Sequence, residues 1–329
     1  MKPPKILICA DPANKESAGR MALKLQEKGA EFKILENYDQ CMFTGRLREQ
    51  SVSDLIEKYD GLVVMGNDAA DVAPESYGAR MHPRTANEWH NTSNKNRAIF
   101  ESKLIKNALD LKMPIFGICG GMQRINTVCG GTLRQHIPDV IGNNSHSQES
   151  CGIPPQEPAH DIITVTGTKF AAMNKAFDPS CITPDPAAST KHAVNSRHHQ
   201  CVDKIGTGLR VAAYAEEPHP QHQQKIRITE AIEADPHGRY KDQFILGVQF
   251  HPELMADQRM NEAIAARLKK EAESYHHHKE RKERSPHKFT SIVPQNGSSH
   301  ANGFSPAGSH QLRVFDPDEK GGVGTIQLG

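Results

Sequence analysis

Two short stretches of the chain carry residue types that can do covalent chemistry. The first is Gly117-Ile118-Cys119-Gly120-Gly121, a thiol among small residues, directly after the apolar run 114–116 and before a helical stretch at 122–128. A nucleophile at a strand-to-helix turn needs a strained backbone, and small neighbours let the chain bend there. This is the logic of the nucleophile elbow, with sulfur in place of oxygen. A helix that starts just past Cys119 aims its free amides and its positive dipole end at the sulfur. Such an arrangement stabilises a thiolate and offers the Gly120 amide to an oxyanion. Alone, the pentapeptide fits a buried structural cysteine at a tight turn equally well.

The second stretch is Gly247-Val248-Gln249-Phe250-His251-Pro252-Glu253. Side chains two apart on an extended segment face the same way, so His251 and Glu253 lie side by side. Pro252 cannot donate to a sheet ladder and marks the strand's end, where a side chain is free to reach a cleft. A histidine oriented by a carboxylate is the base that a thiol nucleophile needs. A surface His and Glu at a strand end would satisfy this segment taken alone. Both stretches follow apolar strands, and the carboxyl ends of strands in one α/β sheet converge on one crevice.

The elements that must hold these groups are legible as a rhythm. Residues 5–10, 31–35 and 61–65 read as strands, with helices expected over 16–28 and 51–59. GLVVM at 61–65 is apolar throughout, as in a parallel sheet covered on both faces. A helix is expected over 96–111, then the strand PIFGIC. The polar excursion 66–93, which holds Trp89, reads as functional by its length. Further β signals at 161–165, 209–215, 225–233 and 244–250 imply antiparallel extension of the sheet. A last helix is expected over 257–275, with Asp257 as its N-cap. The fold class is α/β, a doubly wound mixed sheet in residues 1–275. Residues 276–329 read as a disordered polar tail.

Composition excludes several functions. Forty Lys plus Arg stand against 39 Asp plus Glu among 329 residues, which gives no field for nucleic acid or an anionic membrane. No apolar run approaches the roughly 18 residues of a membrane span, nor is there a signal-peptide core. Seven scattered cysteines without CxxC spacing argue against a disulfide framework and a zinc knuckle. The chain reads as cytoplasmic. Cys9, Cys41 and Cys129 read as small packing residues, whereas Cys151, Cys181 and Cys201 lie in polar stretches and read as surface thiols. His276–His278 with His287 offer adventitious metal affinity only, and the run 279–284 reads as a solvated helix end.

GICGGMQ with GVQFHPE resembles the class I glutamine amidotransferase-like superfamily, whose motifs are G-x-C-x-G-x-Q and H-P-E. The resemblance implies a flavodoxin-like fold with Cys119 as nucleophile, His251 as base, Glu253 as orienting acid and Gln123 on the substrate side. Asn126 with Gly130-Gly131-Thr132-Leu133 is similar to the run after the family's nucleophile helix. Asp71-Val72-Ala73-Pro74 with Tyr77-Gly78, and Val194-Asn195-Ser196-Arg197-His198-His199-Gln200, resemble segments of the γ-glutamyl hydrolase branch. That branch acts on γ-glutamyl amines such as γ-glutamyl-γ-aminobutyrate. Pro74, Tyr77, Asn195, Ser196 and His198 are thereby implied as substrate contacts, and Gly66 and Asn67 as oxyanion donors beside Gly120. Two departures bear on substrate identity. Gly120 stands where the branch often has Arg, and the oxyanion loop Gly66-Asn67-Asp68-Ala69-Ala70 has one glycine and an extra two residues.

The resemblance implies hydrolysis of a small γ-glutamyl amide through a thioester, with no metal and no organic cofactor. Expected partners are the small substrate and at most a second copy in a homodimer, with no nucleic acid or membrane. Two rivals stand beside it. One is a glutaminase subunit that supplies ammonia to a separate synthetase, and the other is a catalytically silent binding protein on the same fold.

Overall fold

A computed structural model describes residues 2–35, 49–66, 72–88, 95–177 and 189–284. The expectations placed on Cys41, Asn67, Asp71, Trp89, Cys181, His287 and residues 285–329 lie outside the described residues. The strands are β1 (Lys5–Cys9), β2 (Glu31–Leu35), β3 (Gly61–Val64), β4 (Ile115–Ile118), β5 (Thr132–Arg134), β6 (His160–Thr164), β7 (Lys191–Val194), β8 (Cys201–Lys204), β9 (Leu209–Pro218), β10 (Lys225–Ala234) and β11 (Ile245–Val248). Nine of them form one sheet in the order β2-β1-β3-β4-β11-β10-β9-β6-β7, and β5 pairs with β8 in a separate ribbon. From β2 to β11 every pairing is parallel. From β11 to β7 every pairing is antiparallel. The expected mixed, doubly wound sheet is therefore what the chain builds.

Residue alternation explains the layering. Ile6, Ile8, Val63, Phe116, Leu246 and Val248 share one face and pack with Met21 and Leu25 of the Lys15–Glu27 helix and Ile264 and Leu268 of the Arg259–Arg284 helix. The intervening Leu7, Cys9, Leu62, Val64, Ile115 and Ile245 face the other way, onto Phe100, Leu104 and Ala108 of the Lys95–Asp110 helix and Met122 and Ile125 of the Gly120–Val128 helix. Strands buried on both faces must be apolar at every position, and each such side chain contributes about 1.5–3 kcal/mol.

Three expectations are corrected. The last helix runs to Arg284, past the expected end at 275. Its polar extension is held by tertiary contacts that local composition does not reveal. His276 Nδ1 lies 3.1 Å from Asp60 Oδ2, Lys279 donates to the Glu57 carbonyl, and Tyr275 packs against the core. Asp257 acts at the other end, where its Oδ1 accepts the Arg259 amide at 3.0 Å. Cys201 is not a surface thiol. As the first residue of β8 it packs among Ile137, Ile141, Ala215 and Ile228, and burial pushes its thiol up to about 12. Finally, β7 and β8 are strands that a polar sequence concealed. Among the described residues, no helix is long and apolar enough to cross a membrane.

Candidate active site

The parallel strands β3, β4 and β11 are adjacent, so their carboxyl ends deliver Gly66, Cys119 and His251 to one place. A methyl group built on Gly66 would lie 3.0 Å from His251 Cε1 and 3.2 Å from Cys119 Cβ. Cys119 itself has φ 51 and ψ −109, a conformation that L residues rarely hold, and it caps the Gly120–Val128 helix. Its amide is fixed by the Val248 carbonyl at 2.7 Å. The flanking glycines make the turn feasible. A Cβ on Gly121 would stand 2.0 Å from the Val64 carbonyl oxygen, and one on Gly117 would stand 2.7 Å from Gly121 C. Any side chain at either position would push the helix off the sheet. In the first helical turn the amides of Gly120, Gly121 and Met122 have no partner four residues back, and they face the end of the helix where the sulfur sits.

The His251 ring bridges the two other groups. It stands beside Cys119, whose sulfur acts on it electrostatically, and its Nδ1 lies 2.9 Å from Glu253 Oε1. Burial alone would strip the ring of charge, but the Glu253 carboxylate and the Cys119 sulfur outweigh it and raise its pKa to about 10. The raised pKa favours the protonated ring at neutral pH. Such a group can protonate a departing amine.

The remaining expected residues divide into braces and wall. Asn195 Nδ2 donates to the His251 carbonyl at 2.9 Å, and Asn195 Oδ1 accepts the His251 amide at 2.8 Å. With a second bond from its Nδ2 to the Pro155 carbonyl at 2.8 Å, Asn195 clamps the backbone of His251. Gln123 Nε2 donates to Gln249 Oε1 and to the Gln200 carbonyl, each at 3.1 Å. Ser196 is wholly buried, with its hydroxyl on the His146 carbonyl at 2.7 Å. His198 turns into a buried cluster, with Nδ1 2.9 Å from the Gln200 carbonyl and Nε2 3.3 Å from His146 Nδ1. Pro74 and Tyr77 begin and end a 3-10 turn that packs on the nucleophile helix. Four of the implied substrate contacts, Gln123, Asn195, Ser196 and His198, thus have their polar atoms engaged within the protein.

Some residues placed around Cys119 escaped the reading of the sequence. Gln249 Nε2 points at Cys119 Sγ from 3.6 Å, and the Arg197 carbonyl lies 4.0 Å from the same sulfur. The signal for Gln249 was its place two residues before His251 in the motif. Arg97 and Asn14 carried no signal. Arg97 Nη2 and Asn14 Nδ2 donate to the Gly66 carbonyl at 2.9 and 2.7 Å and fix the exit of β3 beside the thiol. Arg97 also pairs with Asp11 at 2.9 Å and with Glu101 at 2.8 Å, and Glu101 pairs with Arg124 of the nucleophile helix at 2.5 Å. Among the described residues, the cations Arg97 and Arg124 alternate with the anions Asp11 and Glu101 along this chain.

Comparison with known proteins agrees with this construction. A family model described as Peptidase C26 matches residues 41–253. A protein of Mycobacterium tuberculosis (strain ATCC 25618 / H37Rv) named as a candidate glutamine amidotransferase is 31% identical over 209 residues, covering 63% of this chain and 55% of that protein. This chain thus matches little more than half the length of that relative. Protein NtpR of Enterococcus hirae is 29% identical over 205 residues, covering 62% of this chain and 71% of that protein. γ-Glutamyl-γ-aminobutyrate hydrolase PuuD of Escherichia coli (strain K12) is 26% identical over 205 residues, covering 61% and 67%. Among solved structures, the glutaminase domain of Trypanosoma brucei CTPS with bound acivicin aligns at a TM-score of 0.47 and 15% identity, over 82% of this chain and 94% of that one. By its sheet order, its elbow and the match to the family model, the chain belongs to the Peptidase C26 family of class I glutamine amidotransferase-like proteins.

Proposed function

We propose that the protein hydrolyses the γ-glutamyl amide bond of a small γ-glutamyl amine or peptide. The observation that carries this reading is the His251 ring, with Glu253 at 2.9 Å from its Nδ1 and Cys119 beside it at the ends of adjacent strands. The Cys119 thiolate attacks the γ-carbonyl, and the amide of Gly120 with the Gly66–Asn67 loop holds the oxyanion. The tetrahedral adduct collapses as the His251 imidazolium gives its proton to the leaving amine. Neutral His251 then takes a proton from water, which attacks the thioester and releases glutamate and the thiolate. Glu253 keeps the ring oriented and its charge compensated throughout. The substrate class rests on the D-V-A-P and V-N-S-R-H-H-Q segments and on the likeness to the Escherichia coli hydrolase.

The amidotransferase-type name of the Mycobacterium relative favours a second reading, a glutaminase that hands ammonia to a partner synthetase. One assay separates the readings. Purified protein and its Cys119→Ala variant are offered γ-glutamyl amines, γ-glutamyl peptides and glutamine, with glutamate release as the signal. The proposal expects release from a γ-glutamyl amine or peptide by the unmodified protein alone. Equal release by both forms would remove Cys119 from the mechanism. Turnover of glutamine only, rising on addition of a synthetase, would favour the second reading. No turnover of any substrate would point to a silent binding protein.

A further inference from the structure

Beside the antiparallel half of the sheet, four side chains converge from four distant stretches. They are His146, His160 at the start of β6, His198 between β7 and β8, and Glu230 in β10. One ligand-capable atom from each lies within 4.8 Å of all the others. Glu230 Oε1 stands 3.3 Å from His146 Nδ1, 3.5 Å from His198 Nε2 and 3.7 Å from His160 Nε2. His146 Nδ1 and His198 Nε2 are 3.3 Å apart. We propose that these four side chains form a closed zinc site that clamps the segment lining the nucleophile.

Geometry, protonation and burial each support the assignment. A tetrahedral ion held at about 2.0–2.1 Å places its ligands about 3.4 Å from one another, and the four measured separations bracket that value. The far ring nitrogen of every histidine already faces an acceptor. His198 Nδ1 lies 2.9 Å from the Gln200 carbonyl, His146 Nε2 3.1 Å from Glu217 Oε1, and His160 Nδ1 3.4 Å from the Asp161 carbonyl. A carbonyl or carboxylate only accepts, so each outer nitrogen carries a proton, and in the neutral ring the inner nitrogen is left as a lone pair for a metal. Three inward lone pairs and a carboxylate repel one another unless a metal ion, or a second proton on one ring, lies between them. In keeping with this, His160 Nε2 and both oxygens of Glu230 are buried without a hydrogen-bond partner. Three imidazoles with one carboxylate suit zinc rather than magnesium or calcium, which prefer all-oxygen sites. Four protein ligands and no open position describe a structural site, not a catalytic one.

The clamp would act through the backbone next to the thiol. His198 follows Arg197, whose carbonyl lies 4.0 Å from Cys119 Sγ, and the Gln200 carbonyl accepts from Gln123 of the nucleophile helix. The Gln249 amide donates to the Glu230 carbonyl at 2.8 Å. This assignment is independent of the substrate proposed above, and its test reads metal and stability rather than turnover.

The full chain, purified without an affinity tag and stripped with a chelator, is titrated with Zn²⁺ and separately with Co²⁺. Stoichiometric zinc by elemental analysis, a rise in the thermal midpoint, and the intense visible bands of four-coordinate Co²⁺ are expected. His160→Ala should weaken zinc at least about 100-fold. A variant with His276, His277 and His278 all changed to Ala should bind as tightly as the unmodified chain. Should His160→Ala fail to fold, Glu230→Gln and the Co²⁺ spectrum of the unmodified protein decide between a bound and an absent ion. Folded protein that neither retains zinc nor shows that spectrum overturns the proposal, and leaves a proton on His146 as what holds the cluster together. Zinc lost in the triple variant but kept in His160→Ala overturns it too, as an adventitious ion only.

Discussion

The parallel and antiparallel halves of the sheet meet where β11 lies against β10, and each half carries a histidine–carboxylate grouping beside that seam. In the parallel half, His251 and Glu253 are two residues apart, and the ring's other partner is a sulfur. One carboxylate there serves one ring, so the proton has a defined seat and a defined destination. In the antiparallel half, Glu230 faces three rings at once, and the outer nitrogen of each ring is already committed. The same two residue types thus give a single ring–carboxylate pair in one place and a set of converging ring nitrogens in the other. What decides is whether the second partner of the ring is a group that exchanges protons or a fixed acceptor. Substitutions that separate the two halves, taken from the largest expected effect downward, test that distinction.

The largest effect belongs to the sulfur. Cys119→Ala should lower kcat/KM for glutamate release by about 10⁴-fold or more, while circular dichroism and the thermal midpoint change little. Residual turnover above a hundredth of the unmodified rate would mean that the parallel-half grouping is not built around a thiol nucleophile. Glu253→Gln comes next, with a loss of about 10³-fold expected in kcat, because an amide neither fixes the tautomer nor compensates an imidazolium. It also has a signature in pH. His251 has a folded pKa raised from 6.5 to about 10, so its contribution to stability is complete below about 6.5 and is lost as pH rises toward 10. Denaturant titrations of the unmodified protein should show stability falling across that window, by at most about 1.4 kcal/mol per pH unit from this group. The Glu253→Gln variant should show a flatter profile there. Parallel pH profiles in the two proteins would show that Glu253 does not hold the proton on the ring.

The same contrast explains what could be read from the sequence. Cys119 with its glycines, and His251 with Glu253, are local patterns in which strand alternation and turn sterics fix the geometry, so their placement is legible along the chain. The parallel strands are legible for a similar reason, since burial on both faces makes them unbroken apolar runs. The zinc-type cluster joins residues 146, 160, 198 and 230, and no spacing rule links stretches that far apart. Asn195, Ser196, His198 and Gln123 sit in recognisable motifs, yet what their side chains touch within the protein depends on tertiary placement. β7 and β8 hid because each buries only part of a short polar segment. The extension of the last helix to Arg284 depends on Asp60 and Glu57, far away in sequence.

Arg97 tests how firmly the parallel half is held. It is itself buried and joins the part-buried Asp11, the buried Glu101 and the Gly66 carbonyl. Arg97→Ala would leave buried carboxylates uncompensated and should cost about 3–5 kcal/mol of folding stability, read from urea unfolding. The surviving folded fraction should also turn over more slowly, since the Gly66 carbonyl keeps only the Asn14 bond. A loss below about 1 kcal/mol would mean that water reaches this chain of charges and screens it.

Asn195 gives the smallest expected effect and the sharpest division, because it is the side chain through which the segment carrying His198 grips His251. Asn195→Ala removes an acceptor from the His251 amide and a donor from its carbonyl, both buried, at a cost of about 1–3 kcal/mol. Loosening the base by a fraction of an ångström should reduce kcat by about 10- to 100-fold. KM should hold within about threefold, because the side chain positions a catalytic group and does not touch substrate. Asn195→Asp keeps the acceptor and should recover part of kcat, which a merely structural defect would not do. If Asn195→Ala instead raises KM with kcat unchanged, the residue is the substrate contact that its motif implies. The two halves of the sheet would then be coupled through ligand rather than through the backbone of the base.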